Sequence, residues 1–200
     1  MGRRNQHSRE QQREMAIAAA ELILVREGFA GLSMRKVADA IGYTVGSLYL
    51  IFQNQDDLLA TINERTTDAI YGHLRDAIEW QSEPLPRLQQ LGAAYIEFAQ
   101  THPARFRMLF EHRLPPEMEP RTSSETRIRR MFELVESCVA PLMSAASPQQ
   151  LRRAATTLWS GVHGIASLAI SGKFKWAGDA EFRGYCDDLI GTYVAGLQQR

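Results

Sequence analysis

The side chains best suited to do chemistry lie close together. Arg35, Thr44, Ser47 and Tyr49 put a guanidinium and three hydroxyls into one short stretch, with Gly46 between them. Such a set donates hydrogen bonds and carries positive charge, which suits phosphate oxygens and base edges. It does not suit bond-breaking. The serines have no recognisable base in their context, the five histidines lack metal-ligand spacing, and no carboxylates pair in the manner of a metal site. Gly161 and Gly164 fall within a helical pattern, so they form no phosphate-cradling loop. An enzyme is therefore not expected, nor a cofactor, nor a metal.

The elements that must position those groups are helices. Ser33 caps a short helix whose inward positions are Val37, Ala38 and Ile41, and Gly42 ends it. Thr44 caps a second one carrying Leu48, Ile51 and Phe52 inward. A tight, glycine-containing turn sets such helices at a steep angle, a helix-turn-helix that inserts its second helix into the major groove. In that geometry Thr44 offers its hydroxyl and the free N–H groups to a phosphate, and Gly46 lets the helix approach closely. Val45 meets a thymine methyl, Ser47 a base edge or phosphate, Tyr49 a phosphate, and Arg35 a guanine.

The pattern is helical nearly throughout, with no convincing alternation of period two. A first helix is predicted from Ser8 to Glu27, with Met15, Ala18, Ala19, Leu22 and Ile23 inward. A connecting helix starts at Asn54, where Asn54 and Asp57 form a variant capping box, and reaches about Trp80. Pro84 and Pro86 precede a helix through Gln100, and Pro103 opens another ending near His112. The proline-rich stretch from Leu114 to Ser124 reads as a loop. Further helices follow over about 125–145, 148–173 and 179–197. The expected fold is all-α: a three-helix head over residues 1–53 and a helical body over 54–200, about nine helices in all.

Here a resemblance becomes specific. The run from Gly42 through Thr44, Gly46, Leu48, Tyr49 and Phe52 to Leu58 and Leu59 resembles the signature of the TetR/AcrR family of repressors. Ala19 to Gly28 and Ser33 to Ala38 fit the same register. Two positions depart from it. Ile51 stands where the family often has histidine, and Gln55 where it usually has a phosphate-binding lysine. Gln55 still hydrogen-bonds a phosphate but without charge, which implies a shallower salt dependence. The resemblance implies binding to a palindromic double-stranded DNA operator as a homodimer, with release by a small-molecule effector held in the body.

In the body, Leu158, Trp159, Val162, Ile165, Ala166, Leu168, Ala169 and Ile170 are too many apolar residues for one buried face. A second copy is expected against Leu158, Val162, Ile165 and Ala169, with Phe182, Leu189 and Tyr193 from the last helix; Gly161 and Gly164 would allow close approach. The run Trp159-Ser160-Gly161-Val162-His163-Gly164 resembles a Trp-x-x-x-His-Gly element of one subgroup, and His102 to Phe110 is similar to another of its segments. Tyr95, Phe106, Phe110, Met131, Trp159 and His163 are candidates to line an effector pocket; each also fits a plain core position. A DNA-binding dimer with no small-molecule input stays open as an alternative.

Composition sets the outer limits. The chain is 44% hydrophobic and 23% charged with zero net charge, a globular balance that by itself says nothing for a polyanionic partner. Residues 1–53 hold seven basic and five acidic side chains, and the basic ones concentrate at Arg3, Arg4, Arg9 and Arg13, an arm able to lie along phosphates. The start lacks the apolar core of a secretory signal, and no stretch is long and apolar enough to span a bilayer. A cytoplasmic protein with two reduced cysteines, Cys138 and Cys186, is expected.

Overall fold

The computed structural model describes residues 7–116, 119, 121–174 and 179–199. Among them are nine α-helices, two short 3-10 turns and no strand. Arg3, Arg4 and Pro120 lie outside the described residues.

Helix α1 (Arg9–Glu27) starts where Ser8 and Gln11 cap each other: Ser8 Oγ accepts from the Gln11 N–H at 3.2 Å, and the Gln11 side chain accepts from the Ser8 N–H at 2.7 Å. Its buried face is Ala16, Ile17, Ala19, Ala20 and Leu24. This corrects the predicted register. Ala18 is exposed and Leu22 is 58% exposed, because the run from Met15 to Val25 is apolar enough to offer two stripes. Helices α2 (Met34–Ile41) and α3 (Val45–Tyr49) follow, then α4 (Gln55–Ala77). The start of α4 is held as the sequence implied: the Asp57 N–H donates to Asn54 Oδ1 at 2.8 Å, while Asp57 Oδ2 accepts from the Gln53 N–H at 2.9 Å.

Helix α5 (Pro84–Thr101) takes both prolines into its first turn instead of following them, since N–H groups there have no partner to lose. Helix α6 spans Pro103–Glu111. Helix α7 (Thr122–Val139) ends six residues short of the predicted 145, because Pro141 lacks an N–H and clashes with the preceding turn; a 3-10 turn, Ala140–Leu142, takes over. Helix α8 (Pro148–Ile170) opens with a second capping box, between Ser147 and Gln150, and α9 spans Asp179–Gln198.

Packing divides the chain into two units at 66/67, inside α4, and brings residues 104–119 into the first, whereas the sequence reading divided it after residue 53. The first unit has one core. Ile17 and Leu24 of α1, Val37 and Ala38 of α2, Leu48 of α3, Phe52, and Leu58, Leu59 and Ile62 of α4 meet there, and Met108 of α6 joins them fully buried.

In the second unit α5, α7, α8 and α9 pack together. Helix α9 turns Phe182, Cys186, Ile190 and Val194 inward, a stripe repeating every four residues. Gly92 of α5 explains how closely these helices lie: a Cβ there would sit 2.6 Å from Cys186 Sγ and 2.8 Å from Ile190 Cδ1. Both cysteines are buried and free, and burial pushes the Cys186 thiol up to about 12, so it stays protonated. No helix among the described residues is long and apolar enough to cross a membrane.

Candidate nucleic-acid interface and body cavity

The turn between α2 and α3 is built by Gly42, whose backbone is left-handed (φ 73°) and whose N–H reaches back to the last carbonyls of α2. Thr44 then caps α3. Its Oγ1 accepts from the Ser47 N–H at 3.2 Å and lies 2.9 Å from Ser47 Oγ. With the Ser47 hydroxyl donating, the Thr44 proton is free to point outward. The helix is only five residues long and is fastened by Leu48 and Phe52, both buried in the head core.

What stays outside is the predicted set, with two exceptions. Arg35, Thr44 and Gly46 are exposed, Tyr49 is 52% exposed, and Ser47 is half-buried. Neither Arg35 nor Tyr49 makes a side-chain hydrogen bond among the described residues. Val45 is the first exception: it packs partly against the core, so only part of it is available. Gln55 is the second. Its Nε2 donates to the Leu32 carbonyl at 3.3 Å, holding α4 against the chain before α2.

The basic arm is also corrected at its inner end. Arg9 donates to the Leu50 carbonyl, and Arg13 lies over the Phe52 ring at 4.9 Å and donates to Thr61 Oγ1 at 3.3 Å. Both arginines belong to α1 and brace the reading helix from behind. Lys36 pairs with Glu27. One feature escaped the sequence reading: Leu50, at the end of α3, is 75% exposed. Its signal was a leucine at a position that the period set by Leu48 and Phe52 cannot bury.

At the other end of the first unit, His112 follows α6 and is only 4% exposed. Its Nε2 lies 3.0 Å from Asp56 Oδ1 in the first turn of α4, its Nδ1 lies 3.3 Å from Asn63 Nδ2, and Phe29 packs edge-on against its ring.

The second unit holds an apolar cavity of about 30 Å³, room for about one water molecule. Tyr95 and Trp159 line it with Leu91, Gly92, Leu158 and Val162 among others. Tyr95 Oη lies 3.1 Å from His163 Nδ1, His163 Nε2 lies 3.3 Å from Ser167 Oγ, and the Trp159 ring stacks on the imidazole at 5.1 Å. Burial pushes the Tyr95 hydroxyl far up, against the weaker opposite pull of its hydrogen bond with Trp159, and pushes His163 down toward the neutral imidazole. Phe106, Phe110 and Met131 do not line this cavity. Phe106 and Phe110 pair with each other at 5.0 Å in the first unit, because α6 turns toward the head core. Met131 lies one turn before Val135, which does line it.

The surface expected for a second copy is corrected as well. Leu158, Val162 and Phe182 are buried within the single chain. Gly161 lets α9 of the same chain approach, since a Cβ there would sit 2.7 Å from Leu189 Cδ2. Ile165, Ala169, Leu189 and Tyr193 are half-buried, and Leu168 and Tyr185 beside them are exposed. No group of three or more histidine, cysteine or acidic side chains that could hold a metal occurs among the described residues.

The comparisons with known proteins fit this geometry. Residues 16–62 match the model of bacterial regulatory proteins of the tetR family, and residues 88–188 match that of the tetracyclin repressor-like C-terminal domain. The chain belongs to the TetR family of DNA-binding transcriptional regulators. Family and relatives are regulators, not enzymes. The nucleoid occlusion factor SlmA of Aliivibrio fischeri is 27% identical over 123 residues, 62% of this chain; the chain spans 61% of that relative's length. The transcriptional activator FasR of Mycolicibacterium smegmatis is 24% identical over 152 residues, covering 76% of this chain and 68% of its own. In fold, a solved protein of unknown function from Rhodococcus sp. RHA1 superposes with a TM-score of 0.79 at 24% identity, covering 99% of this chain and all of its own.

Proposed function

We propose that the protein acts in the cytoplasm as a homodimeric repressor that binds a palindromic operator through two copies of α3 and is released by a small molecule held in the body. The observation that carries the reading is the division of labour in α3. Leu48 and Phe52 anchor the helix, while Thr44, Gly46 and Tyr49, with Arg35 from α2, face outward. Arg35 reads guanine, Thr44 and Tyr49 hold phosphates, Ser47 and the exposed part of Val45 meet base edges, and Leu50 adds apolar contact beside them. Gln55 serves mainly as an internal brace.

The second copy packs on the half-buried seam of α8 and α9 formed by Ile165, Leu168, Ala169, Leu189 and Tyr193. Release requires the effector to favour a state in which both heads cannot engage together; a 100-fold loss of affinity corresponds to about 2.7 kcal/mol. The small size of the cavity favours a second reading, a DNA-binding dimer with no small-molecule input. Selection of bound duplexes from a random pool tests the core proposal. A two-fold repeat whose binding is lost in Arg35→Ala and weakened in Tyr49→Phe supports it; enrichment of no sequence, or of a single unrepeated half-site, sinks it. A screen in which no small molecule raises the melting temperature favours the second reading.

A further inference from the structure

We propose that the body cavity selects neutral, apolar effectors bearing a single hydrogen-bonding group, and rejects both carboxylates and ammonium compounds. This rests on the body being the effector site. None of the side chains lining the cavity carries a charge. Its one polar lining contact is the Tyr95 hydroxyl, backed by His163 and then Ser167. That chain of groups closes on itself: the Tyr95 O–H donates to His163 Nδ1, which places the imidazole proton on Nε2, facing Ser167 Oγ. A neutral imidazole satisfied on both nitrogens offers a carboxylate no counter-charge, and burial holds it in that form. An ammonium group fares no better, since no carboxylate lines the cavity. An alcohol, ketone or ester can exchange hydrogen bonds with Tyr95 while its apolar remainder displaces the packing of Leu91, Leu158 and Val162. The close contact of Gly92 with Cys186 and Ile190 sets the opposite wall, so the opening must come from these larger side chains.

The test uses matched probes on the full chain at pH 8: octan-1-ol, octan-2-one, octanoate and octylammonium, with 2-acetylnaphthalene and 2-naphthoate as an aromatic pair, read by calorimetric titration. In at least one frame the neutral probe should bind at least about tenfold more tightly than its charged partner. The acids should tighten about tenfold from pH 8 to pH 7, because only the protonated fraction enters, while neutral probes stay level. Val162→Leu, which adds a methylene to the cavity, should weaken the neutral probe, and slowed hydrogen exchange over α5 and α8 on binding gives a readout independent of that variant. A carboxylate that binds as tightly as its neutral partner, or with no pH dependence, overturns the assignment of ligand class while leaving the effector site standing. Neutral binding untouched by Val162→Leu and without protection of α5 and α8 puts the ligand elsewhere and overturns it too. Failure of every probe to bind removes the effector site itself, and the selectivity with it.

Discussion

His112 Nε2 and Asp56 Oδ1 are 3.0 Å apart, joining the chain just after α6 to the first turn of α4 with the imidazole almost wholly buried. On the same ring, Nδ1 meets Asn63. Replacing His112 by alanine strips both residues of this partner and opens space under Phe29. The expected loss is about 1–3 kcal/mol of stability, read as a shift in the urea midpoint. A midpoint unchanged within error would mean that the contact is ornamental.

Arg35→Ala should weaken the selected operator by about 1–3 kcal/mol and relax the preference at one base position, with no change in melting temperature because the side chain is exposed. A variant that loses stability as much as affinity would show that Arg35 holds the fold rather than the DNA.

Gln55→Lys tests the brace. A lysine in its place should steepen the slope of log affinity against log salt by about 0.9 per protomer and tighten binding at low salt. Loss of the bond to Leu32 should cost some stability at the same time. An unaltered salt slope would place the phosphate backbone away from the start of α4.

Two glycines separate interior packing from the surface. Gly92→Ala drives a methyl into Cys186 and Ile190 and should destabilise the fold by about 1–3 kcal/mol. Gly164→Ala meets nothing within the chain and should stabilise an isolated protomer by about 0.5–1 kcal/mol. If a second copy packs closely there, the same change raises the dimer dissociation constant in sedimentation; an undisturbed dimer moves the seam away from Gly164.

His163 sets a pH dependence of known sign. Burial lowers its proton affinity in the folded state below the ordinary value of about 6.5, so the unfolded chain binds the extra proton first. Stability from this group is complete above that value and falls as the pH drops from there toward the folded value. His163→Gln should flatten this part of the profile. If wild type and variant lose stability in parallel between pH 8 and 5.5, other groups are responsible.

Local signals were legible and distant ones were not. Ser8, Ser33, Thr44 and Asn54 each cap through neighbours three residues away, so the starts of four helices can be read from the chain alone. The inward face of α1 was not legible, because an unbroken apolar run offers two faces and only the partners decide. Phe106 looks like a pocket residue until Met108 is seen in the head core, a choice set by how α6 packs. For α9 the sequence favoured Tyr185, Leu189 and Tyr193, but the neighbouring stripe through Cys186 and Ile190 wins, since Gly92 leaves room only for it.

The brevity of α3 bears on how this protein could be re-engineered. Five residues are too few to hold a helix in water. Its shape is borrowed from Arg9 on the Leu50 carbonyl, from Arg13 over Phe52 and from the buried Leu48. The motif is therefore not portable as a peptide, nor as a cassette moved whole into a relative with a different α1. Reprogramming toward a new operator should exchange the outward residues at 35, 46, 47 and 49 and leave 48 and 52 untouched, along with Arg9 and Arg13, whose guanidiniums never meet the DNA.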